Sequence, residues 1–526
     1  MSSETNQTIY DYLKTGELAA PQYPGAGRAH GYTIRSWSRA WCGGLATWKK
    51  YVHLHRRLGY NNISLDLSWA DIEAQRGTYD FTGYDAYLDV IVDAGLTLQL
   101  KLNSRMMPAW AMANRDALLC DADGNLVQGE WPGVISSPFH GFADPQTIAG
   151  LQGFYRQVAE HCRGLPNLFY CSAFACSFES EYHGTIWTDY SPAAQRQFRT
   201  YLQAVYPSLD KLNAAWLTQY ATWNDVSIAW RPGETMRGDR PDARYVDFMK
   251  YREWAGRRFF DALHDALKAG DARAEYGPQV GRIVCPVGML RGAISAFHWA
   301  ENCEWIFVDP APTDDYAWEM AIARAGGKKV AVELDGPDMY RRLHCEPQLS
   351  TLYADQTRWC YEHGADYVCH ANWSELRDYE RGVAAGMFQH AAAAKQGEFT
   401  IPVAADAVYV GKWDSYLRRF REWEEQPGAV LETAKACFQK LRRQGRAVDV
   451  VLDDTILQRP ARLKQYARIH LDGARFIARP VWDALRQSGA DLVFPEGPQV
   501  RGDETGAALD QCFQLPPSWA PYENPS

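Results

Sequence analysis

The 526-residue chain contains no run of about 18 apolar residues, which excludes a membrane-spanning helix as an organising feature. Its N-terminus, Met1-Ser2-Ser3-Glu4, also lacks a basic segment followed by an apolar one, so the chain reads as cytoplasmic, with no membrane partner. Cationic excess is missing as well. With 55 Lys and Arg against 64 Asp and Glu the formal charge is −9, the wrong sign for a surface that neutralises nucleic-acid phosphates. The 12 cysteines form no C-x-x-C pair and keep no ligand spacing with histidine, so they read as reduced, buried thiols and no metal site is expected. There is no internal repeat and no low-complexity tract. What the chain does have is an ordinary globular balance, 46% apolar and 23% charged. It also carries 20 Trp, 29 Tyr and 20 Phe, a surplus of flat rigid rings that suggests surfaces beyond core filling.

From about Tyr32 to Ala394, short β-rich runs alternate with amphipathic helical stretches, the pattern of βαβ units on a parallel sheet. The spacing predicts strands at Tyr32–Ser36, Asn62–Leu67, Leu96–Leu102, Leu168–Ala175, Ala274–Val280, Trp305–Val308, Lys329–Leu334 and Asp366–His370. Eight such units fit a (β/α)8 TIM barrel larger than the typical ~250 residues. The rival, an open doubly wound sheet, loses ground because neither G-x-G-x-x-G nor G-x-x-x-x-G-K-[ST] follows the first strand. The predicted organisation is an N-terminal extension over 1–30, a catalytic barrel over 31–395 with an aromatic-rich insertion at about 184–242, and a smaller α/β domain over 396–526. In that last domain, strands at Ala405–Val410 and Ala447–Leu452 flank a long charged helical stretch, Trp413 to Arg446.

Barrel chemistry sits at the C-terminal ends of the strands. The fourth strand runs into Phe178-Glu179-Ser180-Glu181-Tyr182-His183-Gly184, the seventh ends in Glu333-Leu334-Asp335, and the eighth in His370-Ala371-Asn372-Trp373. Carboxylates on a common rim suit retaining glycoside hydrolysis, in which one carboxyl group protonates the leaving oxygen and another attacks the anomeric carbon from about 5–5.5 Å away. Taken singly, each glutamate is more often a solvated or salt-bridged rim residue. Glu179 and Glu181 share strand parity, so alternation alone does not choose between them.

The run from Asn62 to Glu73, with Trp69 and Glu73, followed by Gly77-Thr78-Tyr79-Asp80-Phe81, resembles the second-strand signature of clan A glycosidases, and especially the glycoside hydrolase family 42 β-galactosidases. The segment Met107-Pro108-Ala109-Trp110 resembles that family's P-x-W. The series Phe198-Arg199-Thr200-Tyr201-Leu202, Tyr206, Leu209, Leu212-Asn213-Ala214-Ala215-Trp216 and Trp223 is similar to its F-R-x-W-L, Y, L-N-x-x-W and W series. The likeness spans roughly residues 30 to 395. It implies Glu181 as general acid/base, Glu333 as nucleophile, a terminal β-linked hexose as substrate, and no cofactor. It also implies that the last domain, of a flavodoxin- or amidotransferase-like kind, closes a homotrimer. One departure stands out: the residue before the acid/base is Asn across the clan, where it meets the sugar 2-hydroxyl, and here it is Ser180. That opens the substrate to a β-mannoside or β-glucoside.

Other rim residues sort by chemistry. Arg35, Asn103 and Arg105 offer donors to sugar hydroxyls, although Arg39 and Arg105 suit rim salt bridges equally well. Trp373 follows the last barrel strand and suits stacking on a pyranose, whereas Trp110 and Trp187 serve loop packing as readily. His370 is also at the rim, more a satisfied histidine than a metal ligand, and His140 and His183 stay unassigned. Two further readings remain open: a non-catalytic sugar-binding protein on the same scaffold, and an inverting hydrolase with its carboxyl groups about 6.5–9.5 Å apart.

Overall fold

The computed structural model describes residues 29–34, 44–57, 61–131, 134–173, 189–228, 236–237, 240–281, 296–309, 316–334, 359–372, 401–417, 429–494, 500, 502–505, 507 and 509. Eight parallel strands close into a barrel: β1 (Ala29–Ile34), β2 (Asn62–Ser68), β3 (Thr97–Asn103), β4 (Asn167–Ala173), β5 (Tyr276–Gly281), β6 (Trp305–Val308), β7 (Lys329–Leu334) and β8 (Tyr367–Asn372). All eight predicted strands are present, in chain order around the barrel, and β8 pairs with β1 from Ala29↔Tyr367 to Ile34↔Asn372 to close it. The expected start of β5 at Ala274 moves to Tyr276, because the Ala274 N–H turns back to the Asp271 carbonyl and belongs to a helix-ending turn.

The strands are buried on both faces, and their alternation assigns each face. In β2 the residues Ile63, Leu65 and Leu67 point outward, and in β3 Leu98, Leu100 and Leu102 do the same, all at most 1% exposed. They join one apolar cluster with Trp48 and Val52 of α1 (Leu45–Arg57), Leu88 and Ile91 of α2 (Thr82–Asp93), and Leu151, Phe154 and Val158 of α3 (Pro145–His161). The other parity faces the barrel interior. There Phe169, Cys171, Trp305, Phe307, Ala331, Tyr367 and Cys369 pack together, with Phe169 stacked on Trp305 at 4.5 Å. The indole fits because the neighbouring residue on β5 is Gly277, where a Cβ would stand 2.5 Å from the Trp305 Cβ.

The aromatic-rich insertion contributes α4 (Pro192–Val205) and α5 (Leu209–Trp216), each begun by a serine cap, Ser191 and Ser208. Both helices pack on the long α6 (Ala243–Gly270). Phe198, Trp216, Phe248 and Tyr251 form the contact, and the buried Asp247 accepts hydrogen bonds from Tyr206 Oη at 2.6 Å and Trp216 Nε1 at 2.7 Å. Among the described residues, Trp48, Trp69, Trp216, Trp299, Trp305, Trp318, Trp413 and Trp482 are all at most 3% exposed, so these rings fill cores. The seven described cysteines, Cys120, Cys162, Cys171, Cys303, Cys360, Cys369 and Cys437, are free and buried, as expected.

Beyond the barrel a second parallel sheet is formed by β9 (Asp406–Val410), β10 (Val448–Leu452), β11 (Arg468–His470) and β12 (Asp491–Val493), in the order β10-β9-β11-β12. The stretch predicted as one helix contains two described helices, α7 (Lys412–Tyr416) and α8 (Ala429–Arg443); the first ends at Leu417, where the cap N–H returns to the Trp413 carbonyl, and 418–428 lie outside the described residues. This unit is tied to α6 by a buried polar cluster. Lys412 Nζ lies 2.8 Å from Glu253 Oε2 and 3.0 Å from Asp454 Oδ1, and Tyr416 Oη donates to Glu253 Oε1 at 2.9 Å. No helix among the described residues is long and apolar enough to cross a membrane.

Candidate active site

The interior parity that carries aromatic rings in the later strands carries polar groups in β2 and β3. On β2 these are Asn62, Ser64 and Asp66, and on β3 Gln99, Lys101 and Asn103, all at most 2% exposed. Low in the barrel they satisfy one another: Tyr367 Oη donates to Asn62 Oδ1 at 3.0 Å, and Ser64 Oγ donates to Gln99 Oε1 at 2.5 Å. Higher up stands Glu333, penultimate in β7 and 1% exposed, with Lys101 Nζ 2.8 Å from its Oε2. Gln279 on β5 ties this pair to a second carboxylate, since its Oε1 accepts from Lys101 at 3.4 Å while its Nε2 donates to Asp309 Oδ2 at 2.8 Å and reaches Glu333 Oε2 at 3.4 Å. The ammonium also lies over the Phe307 ring, 5.1 Å from its centroid. Asp66 pairs in register with Lys101 and brings another carboxyl group to the same interior.

Taking a carboxylate and an ammonium out of water costs several kcal/mol per ion, so such a pair persists only where geometry and extra hydrogen bonds offset that cost. Here the Lys101 ammonium supplies the counter-charge for Glu333 inside the barrel. An ionised, fixed carboxylate is suited to attack on an electrophilic carbon.

Asn103, the last residue of β3, is fully buried, and neither its Nδ2 nor its Oδ1 finds a hydrogen-bond partner among the described residues. It lies two residues beyond Lys101 on the same parity, so an unused donor and acceptor stand at the C-terminal end of β3. Arg105 is 2% exposed with its guanidinium over the Phe139 ring at 5.0 Å. Trp110 is engaged in packing: it meets Trp69 edge-on at 5.5 Å, lies under Arg76, and donates its indole N–H to the Glu73 carbonyl at 3.0 Å. His140 is buried between Trp69 and Phe259; Nδ1 faces the Gly141 carbonyl at 3.1 Å and Nε2 faces Ser104 Oγ at 3.2 Å, so Nδ1 carries the proton and Nε2 accepts. Burial pushes its imidazole down to about 4.

Glu179, Ser180, Glu181, His183 and Trp187 lie outside the described residues, as do Arg35, Arg39 and Trp373, and of His370 only the backbone in β8 is described. Of the expected residues, the structure therefore brings Glu333, Asn103 and Arg105 toward one end of the barrel. Lys101, Gln279 and Asp309 were missed. The signal was available for Lys101, a lone cation in the otherwise apolar and amide run Leu98-Gln99-Leu100-Lys101-Leu102-Asn103, at a position whose parity points inward.

Comparison with known proteins agrees with this architecture. The glycoside hydrolase family 42 model, described as Beta-galactosidase, matches residues 32–324. Beta-galactosidase LacZ of Heyndrickxia coagulans is 23% identical over 450 residues, covering 79% of this chain and 64% of the relative. Beta-galactosidase BbgII of Bifidobacterium bifidum is 28% identical over 253 residues, covering 44% of this chain and 34% of the relative. The chain thus spans 64% and 34% of the length of these two curated relatives. Among solved structures, the β-galactosidase of the Antarctic haloarchaeon Halorubrum lacusprofundi shares the fold with a TM-score of 0.69 at 18% identity, over 91% of this chain and 74% of that one. With a closed parallel barrel, a buried carboxylate at the end of its seventh strand and a family match over more than half its length, the chain belongs to glycoside hydrolase family 42.

Proposed function

We propose that the protein is a retaining exo-β-glycosidase that hydrolyses a terminal β-linked hexose of the β-galactoside type. The observation that carries this reading is the buried Glu333 carboxylate at the end of β7, held by Lys101 at 2.8 Å. The family match ends at residue 324, before β7, so the role of Glu333 rests on this position and on the resemblance of the barrel.

In the first step Glu333 attacks the anomeric carbon while Glu181 gives its proton to the leaving glycosidic oxygen, forming a glycosyl ester. In the second step Glu181 takes a proton from water, the hydroxide oxygen bonds to the anomeric carbon, and Glu333 departs as a carboxylate. Lys101 acts differently in the two steps. It stabilises the carboxylate before attack, loses its ionic partner in the ester, and regains it as Glu333 leaves, so it favours release of the sugar. Asn103 supplies a donor and an acceptor for sugar hydroxyls, and Arg35, Arg105, Ser180, His370 and Trp373 complete the sugar's surroundings. Trp110 and Trp187 belong to the same proposed set, Trp110 with its ring edge-on to Trp69.

Replacing Glu333 with Ala removes nearly all turnover, and azide rescues it to a glycosyl azide of inverted configuration; full activity in that variant would sink the assignment. Ser180 in place of the clan's Asn favours a second substrate reading, a β-mannoside or β-glucoside. A panel of nitrophenyl β-D-galactoside, mannoside, glucoside and fucoside separates these, and sugar binding without hydrolysis across the panel would identify a non-catalytic relative. The second sheet is assigned to a homotrimer contact, and a monomer by light scattering refutes it.

A further inference from the structure

Three side chains from separate parts of the second unit converge at one end of its sheet. Cys437 stands on α8, His470 ends β11, and Asp472 lies in the turn after it. One ligating atom from each lies within 4.8 Å of the others, with Cys437 and His470 buried and Asp472 half-buried. We infer that these three residues form a binding site for a divalent transition-metal ion of the zinc class.

A tetrahedral zinc centre, with bonds of about 2.3 Å to sulfur and about 2.0–2.2 Å to nitrogen and oxygen, sets its ligand atoms roughly 3–4 Å apart. Small side-chain rotations therefore close the site. The ligand set of thiolate, imidazole and carboxylate selects zinc-like ions over magnesium and calcium, which prefer oxygen throughout.

The surroundings are those of a metal ligand. His470 Nε2 lies 3.2 Å from Asp406 Oδ1, and a carboxylate at one ring nitrogen fixes the tautomer and leaves Nδ1 for the metal. Asp406 is itself held as an acceptor by Arg446 at 2.5 Å and Arg468 at 3.0 Å. Asp472 Oδ2 is buried with no hydrogen-bond partner among the described residues. The turn is also already seated on α8. Gly473, with φ +78°, brings it so close that a Cβ there would stand 3.1 Å from the Thr433 Cβ, one helical turn before Cys437.

A nucleophilic cysteine is the other chemistry that such a trio suggests. Against it, the Cys437 thiol and its proton are buried where α8 meets the end of β11. A metal ion displaces that proton: the S–H bond breaks, an S–metal bond forms, and the proton leaves to solvent. Thiolate and carboxylate then neutralise the dication. The bound ion pins α8 to the end of β11.

The test uses the full chain, stripped with chelator and titrated with Co2+. The expected result is a thiolate-to-cobalt charge-transfer band that saturates at one equivalent per chain and is abolished by Zn2+, together with a rise in Tm on adding Zn2+. Cys437→Ala and His470→Gln should lose both the band and the Tm rise. Absence of the band in the unmodified protein, or its survival in Cys437→Ala, overturns the site. The titration of the unmodified protein stands by itself should His470→Gln fail to fold.

Discussion

Lys101 and Glu333 come from strands four places apart around an eight-stranded barrel, opposite one another, and meet at 2.8 Å inside it. The pair crosses the barrel's diameter, so its geometry depends on the closure of the whole sheet. Lys101→Met leaves Glu333 buried without that cation, and removing one partner of a buried pair costs about 3–5 kcal/mol. Urea unfolding should show that loss, and Lys101→Met combined with Glu333→Gln should recover most of it. A loss in the double variant equal to the sum of the two single losses would mean that the pair is not coupled.

Lys101 also has a kinetic signature. If it favours departure of Glu333, Lys101→Met slows the second step more than the first, so a nitrophenyl substrate gives a burst of nitrophenol followed by slow turnover. A linear time course with unchanged turnover speaks against that role.

Asn103 carries a prediction in which activity and stability separate. Its amide is buried without a partner among the described residues, so Asn103→Ala removes an unsatisfied group and should not lower Tm. Losing one neutral hydrogen bond to a sugar hydroxyl, about 0.5–1.5 kcal/mol, lowers kcat/KM by about two- to thirteenfold. A fall in Tm with intact kcat/KM would make it a structural residue.

The buried His140 sets an acid sensitivity. Burial lowers its imidazole from 6.5 to about 4 in the fold, so the unfolded chain takes up the proton first as pH falls. Stability is complete above pH 6.5 and is lost as pH drops from 6.5 toward 4, by up to about 3 kcal/mol. His140→Gln should flatten that slope in urea melts at pH 7 and pH 5; parallel slopes would assign the acid sensitivity to other groups.

Asp247 anchors the insertion through Tyr206 and Trp216. Asp247→Ala strips both donors of their acceptor and should cost about 3 kcal/mol at the scale of hydrogen bonds to charged groups. Limited proteolysis should then cut first within α4 or α5; unchanged protection would show that aromatic packing alone holds the insertion.

The barrel was legible because parallel strands must be buried on both faces, so runs such as Trp305–Val308 and Lys329–Leu334 stand out against polar helical stretches. The position of Glu333 at the end of β7 was legible from the strand pattern alone. Lys101, Gln279 and Asp309 were not, because each is chosen by a partner across the barrel and no local pattern records that partner. The same reason hid Cys437, His470 and Asp472, which share no ligand spacing in sequence. Composition counts rings but does not say which side of a helix they face, and most of the described tryptophans fill cores.

Helix α6 carries Asp247, which holds the insertion, and Glu253, which holds the second sheet through Lys412 and Tyr416. The two additions to the barrel therefore share one axle. Neither can be transplanted from a relative on its own, because a donor insertion brought in with its own α6 would discard the seat of the second unit. Exchange between members of the family has to move α6 and both of its attachments together, and a chimaera joined within the seven residues Asp247 to Glu253 is the one that should fail to assemble.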